Sequence, residues 1–257
     1  MKKLEFFFDT RLTFSSPVIC HNFLLRCLPD NTDVQTVEQS RLVLEPGLPV
    51  FYQKDGMGNL TAAGSCREPH TILNYRSEGV VTVDFSRRQP QTPHPMYRYP
   101  SPLAQPGAGM REFLSGLSLT GKPPLEQVLT IQQAVHRHLE YAPGSTNILT
   151  SAARSFALGK GVCQDYAQIM VTLCRMAGFS ARYCVGLSVG EGASHAWAEV
   201  HFPEGWIGFD PTRGCPVGET YLRIAVGRDF SDCPVERGVF RGNASQSQTV
   251  FMSVSEL

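Results

Sequence analysis

The chain has 257 residues, enough for one large domain or two ordinary ones with real cores. Lys plus Arg and Asp plus Glu balance at 23 each, so neither a nucleic-acid footprint nor a polybasic membrane surface is indicated. Hydrophobic residues make up 42%, the share of an ordinary globular protein, and no stretch approaches the roughly 20 apolar residues of a spanning helix.

Met1-Lys2-Lys3-Leu4 begins like an export signal, but Glu5 and Asp9 interrupt any apolar run, so the chain is expected to be cytoplasmic with no membrane partner. Leu12 to Phe14, Phe23 to Cys27, Arg41 to Leu44, Val50 to Gln53 and Val80 to Phe85 are short runs with strand character. Turn signals separate them, among them Pro29-Asp30-Asn31, Glu45-Pro46-Gly47 and Asp55-Gly56-Met57-Gly58. The first hundred residues therefore read as an all-β sandwich or open barrel. Gln89 to Gly109 is dense in proline, which fits neither helices nor central strands, and reads as a linker. It divides a β-rich domain, 1–102, from a second domain, 103–257.

The second domain opens with a helix from Pro123-Pro124 to Tyr141, with Leu125, Val128, Gln132, Val135 and Leu139 on one stripe. His136 and His138 lie in it at i, i+2, a spacing that points two side chains apart and argues against a metal pair. Thr150 is placed to cap a short helix over Ser151 to Leu158 that ends at Gly159. A further helix runs from about Val162 to Ala177 and closes at Gly178, with Tyr166, Ile169, Met170 and Leu173 facing inward. From Phe179 the period becomes two. Strands are expected over Ala181 to Leu187, His195 to Phe202, Trp206 to Asp210, Leu222 to Val226 and Val250 to Val254, as an antiparallel sheet. The fold class is α+β.

The eight cysteines form no C-x-x-C pair, so zinc ribbons and thioredoxin-type chemistry have no support, and seven of them read as inert thiols. Cys163 differs because it starts a helix. The free N–H groups and partial positive charge there stabilise a thiolate, the reactive form, and its own N–H can serve an oxyanion. His195, Trp197, Glu199 and His201 share one face of a strand. A four-residue loop from His201 to Glu204 would pair His195 with Asp210, where the carboxylate can fix the imidazole tautomer. A two-residue slip keeps the two as diagonal neighbours, and a one-residue slip parts them. By the same period, Trp197 and Trp206 would lie on the His195 face and could wall the cleft. Tyr166, one turn beyond Cys163, is a third candidate for substrate contact. Each of the three could equally be core packing.

Gly161-Val162-Cys163-Gln164-Asp165-Tyr166-Ala167, Ser194-His195-Ala196-Trp197 and Gly208-Phe209-Asp210-Pro211-Thr212 together resemble the transglutaminase-like superfamily. The likeness is strongest to a bacterial group described as cysteine proteases. Val226-Gly227-Arg228-Asp229-Phe230 and Arg237-Gly238-Val239-Phe240-Arg241-Gly242 are similar to that group's C-terminal segment, and the first hundred residues to its β-rich N-terminal domain. The resemblance implies a papain-like core with Cys163 as nucleophile, His195 as general base then acid, and Asp210 as orienting carboxylate. The pattern is incomplete. Both tryptophans, Trp197 and Trp206, lie downstream of the cysteine, whereas animal transglutaminases place one upstream as an oxyanion donor. Ala157 stands where papain-like proteases have a glutamine, so the second oxyanion donor is unassigned. No acidic calcium loop is recognisable. The expected activity is cysteine peptidase or amidase, acting on a peptide or protein amide without metal or other cofactor. The alternatives are a transglutaminase-type amine acyltransferase and a catalytically silent peptide-binding scaffold.

Overall fold

The computed structural model describes residues 1–190 and 192–257. The N-terminal half holds β1 (Lys2–Leu25), β2 (Gln35–Glu45), β3 (Val50–Lys54), β4 (Leu60–Cys66) and β5 (His70–Val83). Helices follow: α1 (Met110–Gly116), α2 (Pro124–His138), α3 (Ala152–Leu158) and α4 (Cys163–Met176), with the two-residue strands β6 (Glu140–Tyr141) and β7 (Lys160–Gly161) pairing in parallel. Then come β8 (Ala181–Ser188), β9 (His195–Phe202), β10 (Gly205–Asp210), β11 (Cys215–Pro216) and β12 (Tyr221–Gly227). The chain ends in β13 (Glu236–Arg241) and β14 (Gln246–Glu256). The class is α+β. Among the described residues no helix is long and apolar enough to cross a membrane.

β1 organises the N-terminal sheet. Leu4, Phe6, Phe8, Thr10, Leu12 and Phe14 are buried in strict alternation, the signature of a strand with one face on a core. The strand bends near Cys20, whose φ is 52°, so its two halves serve two ladders. Lys2 to Thr13 pairs with β5, and His21 to Leu25 with β4. The opposite edge of β1 is covered by β14 and then β13. This corrects the sequence reading, which put Val250 to Val254 in the second domain's sheet. That segment lies in β14, with Val254 opposite Phe6 and Val250 opposite Thr10. A division at 102/103 therefore leaves the last strands on the wrong side. The physical reason is the open edge of β1: β14 satisfies its backbone groups while burying Met252 and Val254 in the same core.

The second sheet is antiparallel in the order β11-β10-β9-β8-β12. α4 lies on β8 and β9, and its inward stripe of Tyr166, Ile169, Met170 and Leu173 is buried as the periodicity predicts. α2 ends three residues earlier than expected, and Leu125, assigned to its apolar stripe, is 45% exposed. Ser151 rather than Thr150 caps α3, accepting from the Arg154 N–H, and Gly159 closes it with φ 64°. Residues 89–109 carry no strand, as their prolines predict, yet the segment is clasped to the core. Its Tyr97 carbonyl and Ser101 hydroxyl accept from the buried Arg175 guanidinium, which also bonds the Ala181 and Arg228 carbonyls.

Candidate active site

Cys163 is the first residue of α4 and is partly exposed. The start is fixed by Asp165, whose Oδ2 accepts from the Val162 N–H at 2.9 Å and from the Thr146 hydroxyl at 2.6 Å. Gly161 makes room for that carboxylate, since a Cβ there would lie 2.6 Å from Asp165 Cβ and Oδ2. The Cys163 and Gln164 amides belong to the first turn, where N–H groups have no carbonyl inside the helix. First-turn N–H groups beside a thiol are the kind of donor an oxyanion needs.

His195 opens β9 and is 4% exposed. Its Nε2 donates to Asp210 Oδ2 at 2.7 Å, which leaves Nδ1 for Cys163. Burial pulls the imidazole pKa down, but hydrogen bonds to Asp210 and then Cys163, with the charges of both, outweigh it and push it up to about 9. Asp210 ends β10 and is fully buried. Burial pushes its carboxyl up, and the His195 and Tyr221 hydrogen bonds with the Arg213 amide bring it below the usual range.

The hairpin register differs from the sequence reading. Phe202 pairs with Gly205, so the loop is the two residues Pro203 and Glu204 rather than four, and Gly205 takes φ 119° to close it. The slip is two residues, so parity is kept and Asp210 reaches His195 diagonally.

The contacts that hold Asp210 were not legible in the sequence. The Tyr221 hydroxyl, from β12, donates to the same Asp210 Oδ2 at 2.8 Å. Asp210 Oδ1 accepts from the Thr212 and Arg213 amides at 2.9 and 3.1 Å. Gln132 of α2, predicted on the buried stripe, donates to the Asp210 and Cys215 carbonyls and ties the end of β10 to the helix layer. No local pattern announces Tyr221, because β12 reaches the site only through its pairing with β8.

Of the three residues suggested for substrate contact, none stands beside the thiol as an open surface. Tyr166 is 2% exposed and its hydroxyl donates to the Leu139 carbonyl. Trp197 is 1% exposed and packs edge-on against Tyr221, backing the imidazole's face of the sheet. Trp206 pairs with His201, six residues along β9 from His195 and so about 20 Å away. It is enclosed by Tyr97, His201 and the Arg182 guanidinium. The face was predicted correctly; the distance along the strand was not visible without the register. His136 and His138 point apart, to the Thr212 and Phe156 carbonyls.

Residues 111–211 match the transglutaminase-like superfamily, and residues 4–82 match the bacterial transglutaminase-like N-terminal region. An uncharacterized protein of Mycobacterium leprae is 25% identical, with 100% of both chains covered. One of Mycobacterium tuberculosis is 27% identical over 85% of this chain and 81% of its own. A crystal structure from Cytophaga hutchinsonii, of a protein proposed to be a cysteine protease, shares the fold with a TM-score of 0.80 at 23% identity. It covers 100% of this chain and 91% of that one. Fold, site geometry and both matched regions agree: the chain belongs to the transglutaminase-like superfamily, in the bacterial form with a β-rich N-terminal region.

Proposed function

We propose that the protein is a cysteine peptidase or amidase that works through Cys163, His195 and Asp210. The observation that carries this reading is the buried His195, tied to Asp210 at 2.7 Å by one nitrogen with the Cys163 thiol at the other. His195 Nδ1 takes the thiol proton, and Cys163 Sγ attacks the amide carbonyl carbon. The resulting oxyanion is held by the Cys163 and Gln164 N–H groups. The imidazolium returns its proton to the amide nitrogen, the C–N bond breaks, an amine or ammonia leaves and a thioester remains. Water, deprotonated by His195, then attacks the thioester, releasing the acid and restoring the thiol. Asp210, held by Tyr221, keeps the imidazole tautomer and steadies its positive form throughout. Resolution by an amine would use the same residues. Hydrolysis is favoured because water reaches the partly exposed thiol and no dedicated amine site lies beside it among the described residues. The eight free thiols support the cytoplasm as its compartment.

The test is amine release from amide substrates by wild type, Cys163→Ala and His195→Ala, with and without a primary amine acceptor. Both variants should lose release, and the acceptor should not enter the product. Full release by Cys163→Ala would end this reading, and incorporation of the acceptor would convert it to transamidation.

A further inference from the structure

A groove of about 930 Å³ runs between the second domain and the β13–β14 edge of the N-terminal sheet. One end of it reaches residues next in sequence to the thiol site. Ser194, which directly precedes His195, lines it, as does Ile148. Ile148 lies two residues from Thr146, whose hydroxyl holds the start of the Cys163 helix. The walls are largely apolar. Phe8, Val250 and Met252 face it from β1 and β14, and Val239, 69% exposed, from β13. Ile148 adds an exposed apolar lip at 62%. Such a rimmed apolar patch marks a binding surface rather than ordinary surface scatter. Among the described residues β13 pairs only with β1, so its outer backbone groups form an open strand edge along this groove.

One carboxylate breaks the apolar lining. Glu236 opens onto the groove, and Gln248 Nε2 donates to it at 3.3 Å. Arg237 also lines the groove, with its guanidinium donating to the Ser231 carbonyl, and Arg26 pairs with Asp55. Burial pushes the Glu236 carboxyl up to about 7, the mark of an acid whose charge lacks a partner.

We propose that this groove holds the acyl-donor polypeptide as an extended segment, main chain along the open edge of β13, apolar side chains on Val239, Val250 and Met252, and a basic side chain on Glu236. Strand addition at an open edge supplies affinity, and alternate side chains in the groove supply selectivity. The inference rests on the proposed amide chemistry, because it assigns the groove to that reaction's substrate. It makes the β-rich domain the selector for a basic, otherwise apolar peptide.

The experiment separates the two. Fluorescein-labelled peptides of about eight residues, leucine-rich with Lys or norleucine scanned through each position, are titrated against the Cys163→Ala protein, in which no chemistry occurs. At one position Lys should bind about tenfold or more tighter than norleucine. Glu236→Gln should erase that preference, and Val239→Asp should weaken the whole series about tenfold. Both positions are at least partly exposed, and far-ultraviolet circular dichroism melts confirm that the variants fold. A Lys preference that survives Glu236→Gln overturns the proposal. So does a series that binds no tighter than an N-acetylated amino-acid amide, or is indifferent to Val239→Asp. Failure of the chemistry itself would show differently, as a wild-type Cys163 inert to iodoacetamide with peptide binding intact.

Discussion

Replacing Asp210 with Asn changes one atom and should reverse the imidazole. In the native site Oδ1 faces two donors, the Thr212 and Arg213 amides, so the oxygen of the Asn side chain is held on that side. Its NH2 then faces His195 Nε2 and donates to it, where Oδ2 accepted at 2.7 Å. The imidazole proton is forced to Nδ1, the nitrogen that must receive the thiol proton. In a serine triad the same exchange costs about 10⁴ in turnover through the wrong tautomer, and a loss of that order is expected here. Stability should change with it. His195 is raised from 6.5 to about 9, so its contribution is complete below pH 6.5 and lost as pH rises through about 9. The lowered Asp210 contributes above the usual carboxylate range and loses that as pH falls through its folded value. Near pH 6 the raised His195 corresponds to about 3 kcal/mol, of which Asp210 supplies the larger part. Asp210→Asn should therefore lower Tm on the order of 5 °C at pH 6, and by much less above pH 9. Turnover, an NMR titration of His195 and melting curves across pH read all three effects. Turnover within a few-fold of wild type, or a His195 pKa that stays near 9, would refute the tautomer argument.

Iodoacetamide near neutral pH should label Cys163 ahead of the other seven thiols, by peptide mapping. Burial pushes Cys27 and Cys174 up to about 12 and also raises Cys66, Cys184 and Cys233, while Cys20 and Cys215 do not start a helix. Gly161→Ala should displace the Asp165 cap, costing about 1–2 kcal/mol in denaturant unfolding and slowing Cys163 alkylation with it. Tyr221→Phe removes one hydrogen bond to a buried carboxylate, about 1.5–3 kcal/mol of stability, and should reduce turnover far less than Asp210→Asn because the tautomer is kept. Activity should survive EDTA; loss restored by Zn²⁺ or Ca²⁺ would reveal a site outside this account.

How much was legible follows from the range of each signal. Cys163 at a helix start and His195 and Asp210 on neighbouring strands could be read because local periodicity locates helix starts and strand faces. The parity of the hairpin mattered more than its loop length: Pro203-Glu204 replaced a four-residue loop and the imidazole still met its carboxylate. Pairing between distant strands left no such trace. Alternation marked Val250 to Val254 as a strand, but β1, its partner, lies at the other end of the chain. Tyr221 was invisible for the same reason. Trp206 shows the converse failure, in which the face was right and the position along it wrong.

The most direct measurement is acid-quench mass spectrometry of the wild-type enzyme during turnover of an amide substrate. An acyl adduct should map to Cys163, appear before steady state, and be absent in Cys163→Ala. Steady turnover with no adduct on Cys163, or with the adduct on another residue, would contradict the thioester mechanism.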